Sequence, residues 1–145
     1  MRFTSVINAK QTMLAALLSL FALATHGADM NTLGDYQWKN RLILVHAVSE
    51  NGDEIEALRN ARAHIEERDI VWFVNTGSEL VSNQQAVSGS LASEVKALLE
   101  ESRSDERVLL IGKDGGMKSR ESVLNLNAIF RRIDSMPMRI REMRD

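Results

Sequence analysis

Arg107–Lys118, RVLLIGKDGGMK, constrains this chain more than any other stretch, because a strand, a tight turn and the start of a second strand share twelve residues. Val108, Leu109, Leu110 and Ile111 form an unbroken apolar run, the pattern of a strand covered on both faces. Gly112 and Asp114-Gly115-Gly116 offer the positive-φ positions that a hairpin turn requires. Two runs of the same kind come earlier, Arg41–Val48 (RLILVHAV) and Ile70–Val74 (IVWFV), and the first is the candidate central strand.

Between those two runs Asn51, followed three residues later by Glu54, has the form of a capping box. Ile55, Leu58, Ala61 and Ile65 then recur at helical spacing, which predicts one amphipathic helix reaching about Arg68. Asn75–Ser90 is rich in Asn, Gln, Ser and Gly without a period, and is expected to be a loop. Leu91, Val95, Leu98 and Leu99 restart a helix, with Ser90 as its cap. After the hairpin turn, Met117–Arg120 reads as a short polar strand. Asn125 then caps a helix carrying Leu126, Ile129, Phe130 and Ile133, and Pro137 ends it or bends the chain into a further turn, Met138–Arg144. Ahead of the first strand lies a polar lead-in, Asp29–Asn40, whose Tyr36 and Trp38 are expected to fold over the core edge. The order β-α-β-α-β-β-α defines an α/β chain with a mixed four-stranded sheet flanked by helices.

The beginning of the chain has the form of a secretory signal. Arg2 and Lys10 are positive, Met13–Leu23 is an apolar stretch short for a membrane span, and Ala22-Leu23-Ala24 is an A-x-A cleavage site. Cleavage is expected after Ala24, or alternatively after Ala28, where His26 would occupy a position that prefers a small residue. Residues 1–24 are thus expected to be the signal and 25–145 a single domain, periplasmic or secreted, with no stable membrane anchor after cleavage. The chain has no cysteine, which removes disulfides, thiolate nucleophiles and zinc–thiolate or iron–sulfur sites. From Thr25 to Gly112 there are eight basic and fifteen acidic residues, and from Lys113 to Asp145 eight basic and five acidic. That basic final segment reads as a solvated helix face rather than a nucleic-acid surface, since the domain has one Tyr and no interleaving of aromatic with basic residues.

The segments GDYQWKNRLILVHAVSE, IGKDGGMKSR and RRIDSMPMRIREM resemble a family of thioredoxin-like domains of unknown function called P-DUDES. That family occurs in bacterial exported proteins and in a vertebrate extracellular matrix protein. The resemblance spans Gly34 to Arg144 and implies a thioredoxin-like fold in an exported protein. In active thioredoxin-like enzymes, cysteines lie just after the first strand of the βαβ unit and a proline precedes the hairpin strand. Here Ser49-Glu50-Asn51-Gly52 and Ser104-Asp105-Glu106 occupy those places. The resemblance therefore implies a redox-inactive member, without oxidoreductase or peroxidase activity.

His46, Ser49 and Glu50 are the weak catalytic candidates, because they follow the end of the proposed central strand, where α/β proteins place ligands. Their spacing does not make a hydrolase: no G-x-S-x-G elbow is present, and positions three apart on an extended strand face opposite ways. His26, His46 and His64 form no H-x-x-x-H pair, and Asp53/Glu54 and Glu66/Glu67 are adjacent, so neither a metal nor a cofactor is expected. Lys113 beside Asp114-Gly115-Gly116 lacks the P-loop pattern and is explained by the turn. Met136, Met138 and Met143 with Ile140 form an adaptable apolar patch or close the base of the core. The function expected is an exported binding or interaction module whose partner is another envelope or extracellular protein. The alternatives are a cysteine-independent enzyme using His46, Ser49 and Glu50, or an envelope-associated structural protein.

Overall fold

The computed structural model describes residues 30–49 and 51–145. The expected signal segment, its cleavage sites and His26 lie outside them, as does Glu50. Strand β1 (Arg41–His46) leads into helices α1 (Asp53–Asn60) and α2 (Arg62–Glu67), then β2 (Ile70–Asn75) and β3 (Leu80–Ser82). Helix α3 (Gly89–Glu101), strands β4 (Val108–Ile111) and β5 (Met117–Glu121), and helices α4 (Leu126–Asp134) and α5 (Pro137–Glu142) complete the order. The sheet runs β3-β2-β1-β4-β5, with β1 and β2 parallel and every other neighbouring pair antiparallel. This mixed sheet flanked by helices is compatible with a thioredoxin-like α/β fold, with one more strand than the four expected.

The three apolar runs are continuous because both faces of the sheet are covered. In the β1 register Ile43 lies between Trp72 and Leu110, while Leu44 lies between Phe73 and Leu109, so successive residues feed opposite cores. One core joins Ile43, Val45, Trp72 and Leu110 to Leu58, Ile65, Ile129, Phe130 and Ile133 of the helices. The other joins Leu42, Leu44, Phe73 and Leu109 to Leu91, Val95 and Leu99 of α3 and to Tyr36, which meets Phe73 edge-on at 6.0 Å. Trp38 does not fold over the core edge with Tyr36. It is 65% exposed, at φ 66°, and its N–H is tied to the Lys113 carbonyl.

The extra strand lies inside the segment expected to be a loop. Three ladder positions are too few for a period to show, and the side chain of Asn83 continues the pairing where β3 stops. Its Oδ1 accepts from the Trp72 N–H at 3.0 Å and its Nδ2 donates to the Ile70 carbonyl at 3.1 Å. The single helix expected up to Arg68 is two, because Ala61 at φ −88°, ψ 15° separates α1 from α2. Asn51 is not its cap: Gly52 holds that place at φ 76°, and Glu54 reaches past it to the Val48 N–H. Helix α3 is capped by Ser88, whose Oγ accepts from the Leu91 N–H, whereas Ser90 Oγ donates to the Asn31 carbonyl. Asn125 caps α4 as expected, and of the two expectations for Pro137 the second holds: it opens the further helix α5, at a position where its missing N–H is no loss.

In the β4–β5 turn only Gly115 has positive φ, at 80°. Gly112 serves another purpose, since a Cβ there would collide with the Lys118 side chain folded across it. Gly115→Val should therefore lower stability by about 1 kcal/mol or more through backbone strain. The nearest side-chain atom to a Cβ there, on Gln37, is an ordinary contact at 3.5 Å. Gly89→Ala, which meets open space at the start of α3, is the control and should leave the urea midpoint close to the parent's.

Candidate functional site

The C-terminal ends of β1 and β2 present His46 and Asn75 side by side in register, and His46 is where the sequence placed its first candidate. His46 is half-buried, its N–H donates to the Arg107 carbonyl at 2.8 Å, and its side chain borders a cleft of about 370 Å³. Leu99, Ser102 and Arg103 at the end of α3, with Glu106 and Arg107 before β4, line the rest. Ser49 belongs to a different environment. Its Oγ accepts from the Asn51 N–H and donates to Asp53 Oδ2, both at 3.1 Å, so the hydroxyl fastens the loop that enters α1. Among the described residues the His46 ring makes no hydrogen bond to Ser49. A serine is activated when its proton faces a base of suitable pKa, and here it faces a carboxylate that is itself part of the helix entry.

Glu54 is the less expected group at this end. Its Oε1 accepts from the Val48 N–H at 3.0 Å, and its Oε2 is buried with no partner among the described residues. Burial works to raise its pKa, but hydrogen bonding to the loop backbone and the charge of Arg107 outweigh it, holding the carboxyl below its usual range. The group is thus a fixed negative charge in the turn that follows β1. His64, the other described histidine, lies exposed on α2 with its ring 5.7 Å from that of Phe130. No group of three or more histidine, aspartate or glutamate side chains among the described residues is placed to hold a metal ion.

At the opposite end of the sheet the structure assembles an ionic network that no sequence pattern pointed to. Arg41, only 1% exposed, donates through Nη1 to the Arg68 carbonyl at 2.9 Å and grips Glu142 through Nη1 and Nη2 at 3.1 and 3.3 Å. Lys113 Nζ bridges Glu142 and Asp69 at 2.7 and 2.8 Å. Arg68 holds Asp134 through Nε and Nη2 at 3.0 and 2.7 Å, with its guanidinium 4.8 Å from the Phe130 ring centre. Arg139, 5% exposed, reaches Asp134 and Glu67 at 3.3 and 2.7 Å. The basic final segment is therefore not a simple solvated face: Arg139 is interior, whereas Arg141 is exposed. Next to the network is a cavity of about 230 Å³, where Arg41, Lys113, Lys118 and Arg141 meet Met136, Pro137 and Met138.

The network has a direct acid signature. The Arg68 hydrogen bond, outweighing burial and helped by Arg139, holds the Asp134 carboxyl below its usual range. Burial raises that of Glu142, but the bonds from Lys113 and Arg41 lower it overall. A carboxyl with a depressed folded pKa contributes stability that is complete above its unfolded value and is lost as pH falls through the folded value. The urea midpoint should hold on acidification to about pH 4, the usual carboxylate value, and fall below it. Asp134→Asn should flatten that fall, and an equally steep decline in the variant would deny Asp134 its part.

A family model described as a domain of unknown function (DUF4174) matches residues 32–142. No curated protein and no solved structure matches the chain.

Proposed function

Since this chain belongs to the DUF4174 family of domains of unknown function, we propose that it is an exported, redox-inactive thioredoxin-like module of the P-DUDES type that works by binding. The observation that carries this reading is the hydrogen bond from Ser49 Oγ to Asp53, which turns the one serine of the candidate trio toward the helix entry instead of toward His46. Without a hydroxyl aligned on the imidazole, the trio has no activated nucleophile. Charged clefts at both ends of the sheet give the protein recognition surfaces instead. Export rests on the positive start, the short apolar stretch and the A-x-A site of residues 1–24, and the natural partner is another envelope or extracellular protein.

Two measurements test the proposal on the full chain made in a cell that exports it. Mass spectrometry should find a mature N-terminus near Thr25, and recovery of intact Met1 in the soluble cytoplasm would remove the export half. A screen of ester, amide and phosphoester substrates should give no turnover above background. Turnover abolished by both Ser49→Ala and His46→Ala would replace the binding reading with the enzymatic one.

A further inference from the structure

We propose that the cavity between the β4–β5 turn and α5 is a binding site for a small carboxylate bearing a short apolar chain. The assignment deepens the binding-module reading and rests on it only in taking ligand capture as the protein's work. Four side chains at the cavity are cationic, Arg41, Lys113, Lys118 and Arg141; Glu142 and Asp69 already pair with Arg41 and Lys113, and the lining itself adds one carboxylate, Asp114. That carboxylate is already occupied, accepting from Lys118 Nζ at 2.7 Å and from the Gly116 N–H at 2.9 Å. Donors are in excess. The exposed Arg141 guanidinium has no partner among the described residues, and Lys118 Nζ spends only one of its three N–H groups on Asp114. An unpaired guanidinium lining an open cavity is complemented by a ligand that brings acceptors and negative charge.

The remaining wall sets the rest of the ligand. Met136, Pro137 and Met138 present only apolar side-chain atoms, and methionine adapts its shape to what it meets. The volume, about 230 Å³, lies below the range typical of drug-sized ligands and suits a molecule of a few non-hydrogen atoms. Gly112 is part of the construction, because its missing Cβ lets the Lys118 stem fold across the turn, and Lys118 Nζ bonds Asp114 there. The carboxylate would engage Arg141 and Lys118, and the alkyl chain would lie against Met136 and Met138.

The test is calorimetric titration of the full chain with butyrate, with butylammonium and inorganic phosphate as probes at matched ionic strength. Butyrate should bind saturably at one site, butylammonium should not bind, and phosphate should bind more weakly because it leaves the apolar wall unused. Arg141→Gln should weaken butyrate about tenfold, the loss of one charge-assisted contact, with an unchanged urea midpoint. Arg131→Gln, which removes the same charge from an exposed α4 position with no side-chain partner among the described residues, should leave affinity unchanged. The assignment is overturned by absence of saturable butyrate binding, by phosphate matching butyrate, or by equal losses in the two arginine variants. A chain that captures an envelope partner yet ignores butyrate would also overturn it, while leaving the binding-module reading in place.

Discussion

Leu110→Asp should abolish the cooperative urea transition. Leu110 is fully buried, paired with Ile43 of β1 on one side and Ser119 of β5 on the other, in the core shared with α4. A carboxylate placed there must either remain charged without a partner or take up a proton, and either course costs several kcal/mol. A domain of this size has only about 5–15 kcal/mol in total. Ser119 Oγ, opposite, is buried with no partner among the described residues, and a single hydroxyl does not replace the solvation of a carboxylate. Circular dichroism with urea titration reads the result, and a variant as stable as the parent would mean that β4 is not a core strand.

Glu142→Ala should be the most damaging single change at the other end of the sheet. It leaves Arg41, 1% exposed, with a guanidinium whose one remaining partner among the described residues is the Arg68 carbonyl, and takes from Lys113 the shorter of its two ion pairs. Removing one member of a buried ion pair costs roughly 3–5 kcal/mol, because the other charge stays in the interior unpaired. The double variant Arg41→Met/Glu142→Leu should recover much of that loss, since apolar side chains of similar volume remove both desolvation penalties. Urea midpoints of parent, single and double variants decide it. A double variant no better than Glu142→Ala would show that the packing of α5 matters more than the charges it carries.

The sequence made legible whatever depends on a local pattern. Continuous apolar runs gave β1, β2 and β4 because both faces of the sheet are covered, and the 3.6-residue spacing of Ile129, Phe130 and Ile133 gave α4 with Asn125 at its start. What escaped depends on few residues or distant ones. Strand β3 has three positions, and the Ser88 and Ser90 hydroxyls differ only in which backbone group lies within reach. The break at Ala61 leaves the apolar spacing intact, so periodicity cannot register it. Arg41 and Glu142 are 101 positions apart, and nothing near either residue distinguishes an interior arginine from a solvated one. At the candidate site the sequence placed His46 at the end of β1 correctly, but the partner of the Ser49 hydroxyl depends on how the chain turns into α1. Strand alternation speaks against a contact to His46, but no linear pattern announces the i,i+4 contact to Asp53.

The Asn83 side chain and the charged outer strand together close both margins of the sheet to an added strand. A partner that docks by adding a strand needs a row of free amide and carbonyl groups along a sheet border. At the β2 border beyond β3, the Trp72 amide and Ile70 carbonyl are already occupied by Asn83, and β3 itself offers three residues. At the far border β5 carries Lys118, Arg120 and Glu121 within five residues, charges that would have to lose water against an incoming backbone. Intermolecular strand pairing is disfavoured at both margins, so the apolar three-strand centre is not open to extension by an added strand.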